Sequence, residues 1–297
     1  MLKQLKIILP LTMIMVGCLT YSTNNLPETA WINKGKKVLT GDKINLKIAV
    51  HDIYCADTSC SCVRAVANRK YDILVKILKK KYNINIKLTY FMDQYEFEKA
   101  LKSGKYDGAI SKPWLAERIA LQKNYNYKRI VDIFDPTNNR WLWGSVIVNK
   151  DSKIKTLQDL NGKIVTIGED DAYEKCNAAY QLFKDKKISP AEIRHKASCI
   201  ENIGELLDKK VDAAVVSNYV FDADCAIDIA KREQFRFIGS TKKIPLTSVI
   251  LDFNKVNNSV ASRLQYALLD VSKKKIKGIT GNGFTTPSLW RPKVLAK

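Results

Sequence analysis

The stretch LKSGKYDGAISKPW (101–114) decides how this chain is read. Leu101 and Lys102 end a helix that starts at Tyr95, Ser103-Gly104-Lys105 turns the chain, and 106–111 (YDGAIS) forms a short buried strand. Upstream, 44–50 (INLKIAV) is a strand. The segment 71–82 is an amphipathic helix with Ile73, Leu74, Ile77 and Leu78 on one face, and Ile84, Ile86, Leu88 and Tyr90 alternate as a strand. Downstream the cycle repeats. Strand 143–148 is followed by the turn Asp159-Leu160-Asn161-Gly162, strand 163–168 and helix 174–184. Ser189-Pro190-Ala191-Glu192 reads as a capping box with Pro at the first helical position. A helix at 200–209, strand 211–217, a helix near 225–232, strands 235–239 and 249–253 and a last helix at 259–271 complete the order. Strands separated by helices predict an α/β fold with parallel sheets covered on both faces. Two such cycles, joined by extended crossings near 141–148 and 245–249, predict two lobes.

The N-terminus lies outside this pattern. Lys3 and Lys6 precede the apolar run 7–16 (IILPLTMIMV), which is too short to span a bilayer and has the form of a secretion signal. Gly17-Cys18 after it resembles a bacterial lipobox, which implies cleavage at 17, lipidation of Cys18 and firm membrane anchorage. Residues 18–42 are polar and aperiodic, and read as a tether. The predicted organisation is a signal at 1–17, the tether at 18–42, and the two lobes from 43 onward.

Composition narrows the function. The formal charge of +20 falls to +18 without Lys3 and Lys6. The lysines are dispersed in short clusters without interleaved aromatics, so they are read as solvated faces rather than a nucleic-acid surface. With His51 and His195 as the only histidines, and no metalloprotease, nucleophile-elbow or P-loop motif, the sequence supports a binder, not an enzyme. The catalytic alternative is a Cys–His pair formed by His51 with Cys60 or Cys62.

Three segments carry a resemblance to a known family. They are 101–110 followed by Lys112-Pro113-Trp114, Asp151 to Leu157 with Asp159-Leu160-Asn161-Gly162-Lys163, and Lys210-Val211-Asp212-Ala213-Ala214-Val215. Their order and spacing resemble the type II periplasmic solute-binding proteins, in the phosphate and phosphonate branch of ABC-transporter substrate-binding proteins. The resemblance implies a monomeric protein that presents a small-molecule ligand to an ABC permease or sensor at the membrane. It also implies two Rossmann-like lobes with a hinge and a central cleft, lobe one built from both ends of the chain (43–142 with 246–297) and lobe two from 143–245. The ligand would lie in the cleft outside the strand C-termini, where open α/β sheets place it. The residues expected there are Tyr54, Lys112, Trp114, Asp170, Asp171, Tyr173, Ser217 and Tyr219. In phosphonate binders the loop after strand 163–168 is rich in hydroxyls. Here it reads Gly168-Glu169-Asp170-Asp171-Ala172-Tyr173-Glu174, with four acids, which argues against a simple phosphonate.

Apart from Cys18, the cysteines are Cys55, Cys60, Cys62, Cys176, Cys199 and Cys225. In an exported protein all six are disulfide candidates. No cofactor is required by any motif. A soft metal is the alternative use of thiols facing the cleft, with His51, Cys62 and Cys176 as ligands.

Overall fold

The computed structural model describes residues 42–59, 63, 67–135, 137–170, 172–222, 226, 229–273 and 283–290. The signal, Cys18, all of the tether but Asp42, and Cys60, Cys62, Asp171 and Cys225 fall outside the described residues. No helix among those described is long and apolar enough to cross a membrane.

The opening stretch folds as read. Helix α2 (Gln94–Lys102) follows α1 (Tyr71–Tyr82), starts at the Asp93 cap, and buries Phe97 and Leu101. Gly104 turns the chain at φ +69°, a conformation other residues rarely adopt. The chain then enters β3 (Gly108–Ser111), every residue of which is buried. Gly108 is required there, because a Cβ would lie 2.2 Å from the Ile250 carbonyl oxygen. Pro113 then starts α3 (Pro113–Lys123) at the position where a missing N–H does no harm.

Two sheets result. The first places β1 (Ile44–His51) between β2 (Ile84–Tyr90) and β3, all parallel. Beyond β3 lie β12 (Ser248–Asp252), β4 (Tyr127–Ile133) and β13 (Phe284–Thr285). Helix α6 (Asn258–Ser272) packs against this sheet. The second has the order β10 (Phe235–Ser240), β6 (Gly144–Asn149), β9 (Ala213–Ser217), β7 (Ile164–Gly168), β8 (Glu192–Lys196). It is flanked by α4 (Asn177–Lys186) and α5 (Cys199–Leu207). Between the sheets, β5 (Trp141–Leu142) pairs antiparallel with β11 (Ile244–Pro245).

The expectation of parallel sheets holds in one half of each sheet, the edge formed by β3, β1 and β2 in the first and by β9, β7 and β8 in the second. In the first sheet β12 runs antiparallel to both β3 and β4; in the second, β6 runs antiparallel to both β9 and β10. Each is the strand that has just crossed over. It enters from the side where the parallel strands end, so it must run against them. A second correction concerns residues 189–192. They do not start a helix: Ala191 N donates to Lys163 O, and the chain continues as edge strand β8 beside β7. The working capping box is Ser198 with Glu201, which starts α5.

Candidate functional site

The strands of both sheets end at one gap, and four loops meet in it. From the first sheet come the loops after β1 (Asp52, Tyr54) and β3 (Lys112, Trp114). From the second come the loops after β7 (172–176) and β9 (Ser217, Tyr219). The rings of Tyr54 and Tyr219 meet edge to face with centroids 6.5 Å apart, and Trp114 lies tilted on Tyr173 at 5.4 Å. Both pairs join one lobe to the other.

The polar centre of the gap is Glu174, on a 3-10 turn (Tyr173–Lys175) that precedes α4. Its side chain is fully buried. Ser217 Oγ donates to its Oε1 at 2.7 Å, and Lys112 Nζ approaches the same oxygen at 3.6 Å from the opposite lobe. Oε2 has no hydrogen-bond partner among the described residues. Burial works against the charge, but the ammonium groups of Lys112 and Lys175 and the Ser217 hydroxyl outweigh it. The carboxyl is held below its ordinary range. The backbone fixes this turn as well: Thr241 Oγ1 donates to Glu174 O and accepts from Gly144 N. Gly144 lies so close that a Cβ would stand 2.3 Å from Glu174 O. Lys175 is buried too, with its stem laid over Gly168. The indole Nε1 of Trp114 is buried without a partner among the described residues.

Beneath Tyr54 lies a buried ionic cluster. Arg69 Nη1 donates to both oxygens of Asp52 at 2.8 Å, and Tyr71, Thr247 and the Tyr54 amide also donate to this carboxylate. Arg69 Nη2 holds the Phe134 carbonyl at 2.7 Å, and its guanidinium lies 5.3 Å from the centre of the Tyr54 ring. The cluster thus fixes the base of the Tyr54 loop and the two chain segments that lead into the crossing strands.

The structure therefore brings together six of the eight residues expected in the cleft: Tyr54, Lys112, Trp114, Tyr173, Ser217 and Tyr219. Asp170 does not join them. It is exposed and accepts a contact from Cys176 Sγ at 3.5 Å. Glu174, Thr241 and Asp52 also belong to the site, outside the expected eight. The acid-rich loop was the available signal, but one-dimensional sequence does not say which of its carboxylates turns inward.

Of the candidate metal ligands, Cys62 lies outside the described residues and Cys176 Sγ contacts Asp170. His51 Nδ1 donates to Phe91 O at 3.0 Å and its ring stacks on Phe97; burial, with the Lys112 charge beyond it, lowers its pKa. Among the described residues no group of three or more His, Cys, Asp or Glu side chains is placed to hold a metal ion. No disulfide joins Cys55, Cys176 and Cys199 to one another. Burial pushes the Cys55 thiol up to about 11.

Two α/β sheets linked by a pair of crossing strands, with loops meeting between them, define a two-lobed binding protein of the type II periplasmic class. A family model described as ABC transporter, phosphonate, periplasmic substrate-binding protein matches residues 64–288, and the chain belongs to that family. Its members are substrate-binding components of transporters, not enzymes. Similar solved structures include XAC2383 from Xanthomonas citri bound to ATP (15% identity, TM-score 0.61, covering 82% of this chain and 92% of that one). PhnD1 from Prochlorococcus marinus in complex with methylphosphonate is similar at 12% identity and TM-score 0.57, with 82% and 93% covered. A binding protein component of an ABC phosphonate transporter from Pseudomonas aeruginosa gives 14%, 0.54, and 83% and 82%. At these identities the likeness is one of fold. No curated protein sequence matches the chain.

Proposed function

We propose that this chain is an exported lipoprotein, anchored through Cys18, that captures a small ligand between lobe one (43–142 with 246–297) and lobe two (143–245). It acts as a monomer, with no role for nucleic acid, and delivers the ligand to an ABC permease or sensor. The ligand is not a simple phosphonate. The observation that carries this reading is Glu174. A carboxylate held ionised and wholly buried at the meeting point of the lobes already engages the Lys112 and Lys175 ammonium groups, so an entering anion must compete with it for them where desolvated charge is weakly screened. Tyr54, Tyr173, Tyr219 and Trp114 supply walls for an organic body.

Isothermal calorimetry tests the ligand class. Phosphate and methylphosphonate are expected to bind no tighter than about millimolar, near −4 kcal/mol, and micromolar binding of either overturns the reading. The anchor is tested separately: Cys18→Ser is expected to release the protein from membranes, and unchanged fractionation and migration would refute lipidation.

A further inference from the structure

The Lys112–Glu174 contact is unusual in its placement. Each partner comes from a different sheet, Glu174 is fully buried and Lys112 largely so (side chains 0% and 12% exposed), and the pair lies where the ligand is expected. Besides its own backbone N–H, three groups act on Glu174 through charge or hydrogen bonding. Ser217 and Lys175 belong to its own lobe, and Lys175 is its sequence neighbour; only Lys112 reaches it from across the gap. At 3.6 Å, Lys112 Nζ is beyond normal hydrogen-bond length from Oε1, and Oε2 remains unused. The acceptor is thus only partly satisfied, and a better-placed cation could take it over.

We propose that Lys112 is a built-in stand-in for the ligand: its ammonium occupies the place that the ligand's own cationic group takes on binding, and it holds the lobes closed until then. This rests on the reading of the gap as the binding site and deepens it, by naming the ligand as a small organic molecule with a protonated amine. The physical argument is asymmetric. An intact buried ion pair adds little net stability, because desolvation offsets attraction. Removing one partner leaves a charge that the dry environment rejects. Without Lys112 the lobes are therefore expected to separate so that water reaches Glu174. With a ligand amine present, Lys112 is free to leave and the lobes close on the ligand instead.

Small-angle scattering on ligand-free protein tests this. Lys112→Ala is expected to have a larger radius of gyration than wild type, and ethylammonium, a fragment of the missing side chain, is expected to restore the compact value. Sodium chloride at equal ionic strength should leave the variant expanded. An unchanged radius in Lys112→Ala overturns the latch. Expansion that ethylammonium fails to reverse, or that salt reverses equally, overturns the assignment of a cation-binding position. Glu174→Gln, nearly isosteric, is the second variant: it too should expand, and a compact Glu174→Gln counts against the proposal even if Lys112→Ala folds poorly. The calorimetry with methylphosphonate is independent of these measurements, so a phosphonate ligand and a failed latch are separately visible.

Discussion

Glu174 is enclosed on every side and still keeps its charge, and this has a measurable pH signature. Its carboxyl in the fold lies below the ordinary value of 4.5, because burial is outweighed by Lys112, Lys175 and Ser217. A group whose folded pKa is depressed stabilises the fold above its unfolded pKa. That contribution is lost as pH falls through the folded value. Melting temperature should therefore be steady in this respect from about pH 7 to 5 and decline below about 4.5. Glu174→Gln should show a shallower decline over the acidic range. Wild type and variant falling in parallel between about pH 5 and 3 would show that Glu174 is not held ionised. Asp170, which sequence reasoning favoured, shows why single residues in a loop are hard to assign. Asp170 and Glu174 are four residues apart, yet one faces solvent and the other the interior. The difference comes from the 3-10 turn and from Thr241 and Gly144, some 67 and 30 positions away along the chain.

Elements were more legible than residues where the pattern was local. Helix α1 and strand β2 lie at the bounds their periodicity implies, although the face that α1 buries is Tyr71, Leu74, Leu78 and Tyr82, with Ile77 at its margin and Ile73 exposed. The capping motif was misleading at 189–192 because Ser-x-x-Glu is necessary but not sufficient. The same spacing at 198–201 starts a helix, whereas the first copy is drawn into pairing with β7. Helix α3 and strand β4 had no distinct signal. Pro113 to Ala116 and Ile119-Ala120 are buried on most sides of α3, so its apolar residues do not form a stripe. Strand polarity was illegible for a different reason, since direction depends on which side a crossing segment enters. At this scale Gly108 gives a sharp expectation. A methyl group there meets the Ile250 carbonyl at 2.2 Å and Leu251 Cδ2 at 2.9 Å, inside the β3–β12 ladder. Gly108→Ala should lower stability by at least about 2 kcal/mol, as overpacking in a rigid core does. Chemical denaturation measures it, and a loss below about 0.5 kcal/mol would mean that the ladder can spread.

For the molecule as a whole, the Asp52–Arg69 cluster connects the ligand side to the crossing strands. Thr247 Oγ1 donates to Asp52, and Ile133 N donates to Thr247 O, so side chain and backbone hold the same point. Thr247→Val removes one buried hydrogen bond while keeping the shape, a loss of about 1 kcal/mol. Hydrogen exchange should speed up at Ile133 and in 241–248 more than in β7 or β9. Equal acceleration in both sheets would show that the cluster does not govern the crossing. The position of β12 has a further consequence, for the order in which the protein can form. Every described strand of the second sheet lies between residues 144 and 240, whereas the first sheet needs β12, from 248–252, wedged between β3 and β4. A chain emerging from its N-terminus therefore holds β1 to β4 with an open seam until some 115 further residues have followed β4. The second lobe has all its strands first. During synthesis or export the earlier lobe must wait for the later one, and its unpaired β3 and β4 edges are the surfaces that a holding chaperone would have to cover.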